Sequence, residues 1–209
     1  MFLIFSINKM KLYIALLLFT LFSFAIFQPV SYGFVADEVA GSLNGAPVTL
    51  NELYFLDAFQ NIENSRPVNS FLSHDSLKKD FDIYINRMLV LNNEKETNLI
   101  TVSKSQVDSY VADFKKKFNI LYKNNNFSGF LTLYGLDYNS FYLYVQNIII
   151  EKEFITERLR LFQSLSFNQA VSNGINLKSG LKVQEMLSLL KGWINRLRSR
   201  ANIEINDDY

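Results

Sequence analysis

Hydrophobic and polar positions change period along this chain, and each change marks an element. Val39, Gly41 and Leu43 alternate with Ala40 and Ser42, the period of a half-buried strand. Asn44-Gly45 follows, a pair that tolerates positive φ and so favours a tight hairpin turn. Val48 ends a very short return strand, and Pro47, which lacks an N–H, confines that strand to a sheet edge. Thr49 and Glu52 then form a capping box that opens a helix.

From there the period is helical. The first helix is expected over 50–62, with Leu53, Tyr54, Phe55, Leu56, Phe59 and Ile62 reaching most of the way round it. Such a helix is either sandwiched between others or keeps one face for a ligand. A loop with Pro67 follows, and a second helix starts near Ser73 or Asp75 and runs to about Glu96. Ser103 and Gln106 form another capping box, ahead of a third helix carrying Val107, Val111, Phe114 and Phe118 on one side. Lys115, Lys116 and Lys117 near its end suit a solvated terminus. A short fourth helix holds Phe127, Phe130, Leu131 and Leu133 and ends at Gly135. Asp137 or Asn139 caps a fifth, from about Ser140 to Phe162, so apolar around Phe141–Val145 and Ile148–Ile150 that it must be central. Residues 163–180, rich in Ser, Asn and Gly, read mainly as a connector. A last helix spans about 182–200, and Ile203-Glu204-Ile205 alternates as a terminal strand.

Two topological expectations follow. A two-stranded hairpin is marginal alone, so the terminal strand should pair with it, and Trp193 and Leu197 should then pack near the first helix. The first and fifth helices carry more apolar residues than one buried face needs, which predicts a contiguous exposed apolar patch.

The beginning of the chain sets the compartment. Lys9 and Lys11 precede an apolar run from Leu12 to Phe27, and the small residues Ser31 and Gly33 follow it. This is the pattern of a secretory signal over 1–33, with Met10 a second candidate initiator; the alternative is an uncleaved anchor. Cleavage after Gly33 leaves 176 residues, enough for one domain with its own core, and takes the net charge from +1 to −1. A near-neutral chain is a poor nucleic-acid binder. The absence of cysteine excludes disulfides, thiol chemistry and a lipid-modified cysteine.

The segment V-A-G-S-L-N-G-A-P-V-T-L-N-E-L at 39–53 resembles the start of the SurA-type N-terminal domain. That family comprises exported chaperones and foldases related to SurA, PpiD and PrsA, whose mature chains often begin V-A-x-V-N-G-x-x-I-T-x-x-E-L. The matching residues are Val39, Ala40, Asn44, Gly45, Val48, Thr49, Glu52 and Leu53. Later stretches at 81–91, 101–111, 136–152 and 193–205 resemble the family's successive helices in the same order. The resemblance implies a mainly α fold, a helical SurA-N-like domain with a small N-terminal β-hairpin joined by a C-terminal strand. It divides the chain into a signal at 1–33, a helical chaperone domain at 34–162, the connector at 163–180 and a closing helix and strand at 181–209. The connector stands where relatives often carry a parvulin prolyl-isomerase module, so no catalytic residue is carried over.

Other chemistries find no footing. The spacing of Gly174 and Gly180 does not make a phosphate-binding loop, and neither G-x-S-x-G nor H-E-x-x-H occurs. The single histidine, His74, begins a helix beside Asp75 and reads as structural. Glu151, Glu153 and Glu157 interleave with lysines and arginines and read as a solvated helix face, and the basic cluster of Lys191, Arg196, Arg198 and Arg200 complements a helix C-terminus. No enzyme activity, cofactor or metal is expected. The resemblance implies a periplasmic, ATP-independent chaperone that binds unfolded outer-membrane or secreted polypeptides on an aromatic-rich apolar surface. With an uncleaved anchor it would sit on the inner membrane facing the periplasm, its only membrane contact. Tyr54, Phe55, Tyr122, Phe127, Tyr142 and Tyr144 are the residues offered for client contact. The alternative is a non-catalytic assembly subunit dedicated to one envelope partner.

Overall fold

The computed structural model describes residues 37–68, 72–123, 126–172 and 183–206. The segment read as a signal lies outside them, as does the later part of the connector, 173–180. Three strands and six helices make up the described residues. Strand β1 (Val39–Leu43) turns through Asn44 and Gly45, both at positive φ, into β2 (Ala46–Thr49). The helices are α1 (Leu50–Glu63), α2 (His74–Thr97), α3 (Lys104–Leu121), α4 (Phe127–Thr132), α5 (Tyr138–Ser172) and α6 (Val183–Arg198). Strand β3 (Ile203–Ile205) comes last.

The local signals work where hydrogen bonds are short in sequence. Both capping boxes form: the Thr49 N–H donates to Glu52 and the Ser103 N–H to Gln106, each at its N-cap. Ser73 caps α2, and the Asp137 carboxylate accepts the Ser140 N–H at 2.7 Å to start α5. Helix α5 continues to Ser172, past the end expected at Phe162. The polar residues after Phe162 include no proline, and Gly174 is the first glycine, so nothing in the stretch breaks a helix before it.

The chain is mainly helical with a small antiparallel sheet in the order β2–β1–β3. The terminal strand pairs with the hairpin as expected: Gly41, Ser42 and Leu43 face Ile205, Glu204 and Ile203. Pro47 lies on the edge strand, where a missing donor is cheap. Gly41 sits in the central strand directly over the Phe81 ring. A Cβ there would run into the Glu204 carbonyl oxygen and lie 2.6 Å from Phe81. Gly41→Ala is therefore expected to cost about 1–3 kcal/mol, read as a lower urea midpoint with an unchanged slope.

Helix α1 is the sandwiched kind. Phe55, Phe59 and Ile62 point into a core shared with α3, α4 and α5, whereas Leu53 joins Val48, Phe81 and Ile85 under the sheet. Its surplus of apolar residues is thus absorbed by packing on two sides, and Leu53, Phe55, Leu56, Phe59 and Ile62 are all buried. The patch expected from that surplus does not form on α1. Helix α5 is central, packing on α2, α3, α4 and α6. Trp193 corrects the other expectation: it packs on Val90 of α2 and Phe154 of α5, away from α1. The reason is that α6 lies along α2 and α5; Leu197, one turn further on, does meet the expectation, packing on the cluster that holds Leu53 of α1. The Arg158 guanidinium lies over both the Phe154 and Trp193 rings, at 4.8 and 5.4 Å. The C-terminal arginines do more than face a dipole, since Arg198 reaches α2 and bonds Asn86 and Asp82.

Candidate functional site

Two adjoining cavities open between the start of α1, α4 and the turn into α5. The first, about 730 Å³, is walled by Tyr54, Tyr122, Phe130, Leu133 and Tyr134. It exists because α4 is only six residues long: Phe127 and Phe130 anchor it on Phe118, and the remaining residues leave the space in front of Tyr54 unfilled. Leu133, 76% exposed, stands at this opening. The Val68 N–H donates to the Tyr122 hydroxyl at 2.7 Å, which fixes the loop after α1 against α3.

The second cavity, about 590 Å³, shares Asn51 and Tyr134 with the first and is of a different character. One wall is apolar, from Phe55, Met88, Leu91 and Leu136. The other is a chain of charged and phenolic groups: Glu52, Tyr84, Arg87 and Tyr144. Tyr84 donates to Glu52 Oε1 at 2.7 Å. Arg87 Nε pairs with Glu151 at 2.8 Å and Nη1 donates to the Tyr144 hydroxyl at 2.7 Å, while the guanidinium also lies 5.0 Å from the Tyr144 ring centre. The two ion-paired side chains are only 13% and 15% exposed.

Burial dominates the electrostatics of this wall. It pushes the Glu151 carboxyl above its ordinary value, against the pull of Arg87. Desolvation works to lower Arg87, but Tyr144 and Glu151 outweigh it and hold the guanidinium firmly charged. Tyr84 is raised by burial and then by the Glu52 charge, and Tyr144 by burial against Arg87, so both phenols stay protonated. A neighbouring chain repeats the theme: Tyr110 donates to Glu63 at 2.9 Å and accepts from Lys152, and Lys117 reaches Glu63 and Asp113.

The six residues offered for client contact separate. Tyr54 and Tyr122 line the first cavity, Phe55 and Tyr144 the second. Phe55 is also 3% exposed and packs on Phe59, Phe141 and Tyr144, so it presents little surface of its own. Phe127 is half-buried against Phe118 and Phe141 and lines neither cavity. Tyr142 bonds Asp108 on the α3 side, also apart from both. Arg87 and Tyr84 are site residues that the sequence reading does not single out. Glu151 corrects the solvated-face reading, for it is largely withdrawn from solvent against Arg87, while Glu153 and Glu157 bond Gln106 and Arg160 on the surface. The available signal was placement: Arg87 precedes the apolar Met88–Leu91, and Glu151 directly follows Ile148–Ile150, both on central helices.

Close by, Asp80 of α2 is 6% exposed and receives no hydrogen bond among the described residues. Burial, then the charge of Asp57 on α1, raise its carboxyl from 3.8 to about 6, with Lys79 opposing. Asp57 is also raised by burial, against Asn61 and Arg66. Between pH about 4 and 6 the folded state therefore holds a proton that the unfolded chain has lost, so stability falls as pH rises through that window. Asp80→Asn should gain about 1–3 kcal/mol at pH 7.5 and flatten the pH dependence of the urea midpoint between pH 4 and 6.

No protein-family model matches the chain, and a search of curated proteins finds no match. No helix among the described residues is long and apolar enough to cross a membrane.

Proposed function

We propose that this chain is an exported, ATP-independent chaperone of the SurA-type class, without a catalytic module, that holds unfolded outer-membrane or secreted polypeptides. The observation that carries the reading is the pair of joined cavities, whose outer one is open, aromatic and faced by the exposed Leu133. Aromatic walls suit varied clients because they bury much area with few rotatable bonds, at about 25 cal/mol per Å². Holding of this kind needs no nucleotide and no residue that does chemistry.

The test is dilution of a urea-unfolded outer-membrane protein into buffer with and without the purified chain, followed by light scattering. Suppression of aggregation at a few-fold molar excess is expected, little changed by salt, because the net charge is near zero. Leu133→Glu, which places a charge at the mouth without touching the core, should weaken it. Failure to suppress at several-fold excess would overturn the reading in favour of a subunit dedicated to one partner. Suppression lost in modest salt would overturn the apolar mechanism.

A further inference from the structure

The inner cavity carries chemistry that apolar holding does not use. Arg87 bonds through Nε to Glu151 and through Nη1 to Tyr144, yet among the described residues its Nη2 makes no hydrogen bond, and it is not sealed from solvent. On the same wall, Glu52 Oε1 accepts from Tyr84 and Oε2 from the Thr49 N–H, which fixes the carboxylate in place. Arg87 and Glu52, one a donor and the other an acceptor, thus line one cavity, held by neighbours on α1, α2 and α5.

An anion fits this wall poorly. Glu151 already neutralises Arg87, and Asp37 and Glu52 both line the cavity. A purely apolar occupant fits poorly too, since it would strip water from Nη2 and from the carboxylate and return nothing. A neutral group with an acceptor and a donor side by side satisfies both. In an extended polypeptide one residue presents its N–H and C=O to the same side. Resting on the chaperone reading above, we propose that the inner cavity clamps a main-chain amide of an extended polypeptide, the C=O accepting from Arg87 Nη2 and the N–H donating to Glu52. Tyr84, bonded to Glu52, is a positioning residue. The outer cavity takes side chains without regard to identity, and the inner one reads the feature every client shares.

The probe is a blocked, fluorescein-labelled peptide of alternating leucine and serine, compared with its counterpart methylated on the backbone nitrogens. Anisotropy with the unaltered full chain should show the methylated peptide binding at least about tenfold more weakly, the loss of one hydrogen bond to a charged group. Glu52→Gln preserves a capping box and an acceptor for Tyr84. It should weaken the unmodified peptide several-fold and leave the methylated one unchanged. Equal affinity for both peptides would overturn the clamp. Aggregation suppression without binding of either peptide would overturn the clamp while leaving the chaperone reading in place. Absence of both suppression and binding would overturn the two together.

Discussion

Replacing Arg87 by alanine should destabilise the domain by about 3–5 kcal/mol, the loss expected when a buried ion pair is broken from one side. The change removes three things at once: the 2.8 Å pair with Glu151, the bond to the Tyr144 hydroxyl and the stacking on its ring. What makes the loss large is what stays behind. Glu151 remains largely desolvated, with only the weaker pull of Lys152 to offset the burial. The orphaned carboxyl will respond by taking up a proton, so its folded-state pKa rises further. For an acid raised on folding, stability falls as pH rises, and the deficit of Arg87→Ala should be smaller at pH 5 than at pH 8. A second variant separates charge from packing. Arg87→Met combined with Glu151→Leu removes both charges while keeping volume, and should recover most of the lost stability. Urea denaturation of the three proteins at the two pH values measures all of this. If Arg87→Ala costs less than about 1 kcal/mol, the range of an exposed pair, the network is not the support described above.

Phe141→Ala should cost about 3–5 kcal/mol as well, for a different reason. Phe141 is fully buried where α5 begins, and its ring meets Phe114 at 5.3 Å, Phe127 at 5.2 Å and Phe55 at 6.4 Å. It therefore joins α1, α3 and α4 around one point. The first consequence of a void there should be local. Helix α4 has six residues, too short to persist in water unaided, and depends on Phe127, Phe130 and Leu131 for its place. Amides of α4 should lose protection from hydrogen exchange well before those of α2. Because α4 walls the outer cavity, the same variant should, on the proposed chaperone function, impair client holding at temperatures where the rest of the domain remains folded. Uniform loss of protection across α2 and α4 would show that α4 is no weaker than its neighbours.

These two residues also divide what can be read from a sequence from what cannot. Elements were legible because their causes are local. The turn at Asn44-Gly45 follows from which residues accept positive φ, and the starts of α1 and α3 from capping boxes whose partners are three residues apart. The central place of α5 follows from its first half, apolar around Phe141–Val145 and Ile148–Ile150. Even the pairing of β3 with β1 followed from a general need, since a lone hairpin lacks a third strand.

Where a side chain ends up is a property of two elements, and there the sequence was silent. Whether α1 spends its extra aromatic residues on a ligand or on a second layer of core was decided by α2 and α3 closing on both sides of it. Trp193 found Phe154 because α6 lies along α5, a crossing that neither helix encodes alone. Arg87 and Glu151 lie 64 positions apart, and each taken singly looks like a surface charge on an amphipathic helix. Only when α2 and α5 come together does burial make each the other's necessary partner, and only then does Arg87 line a cavity.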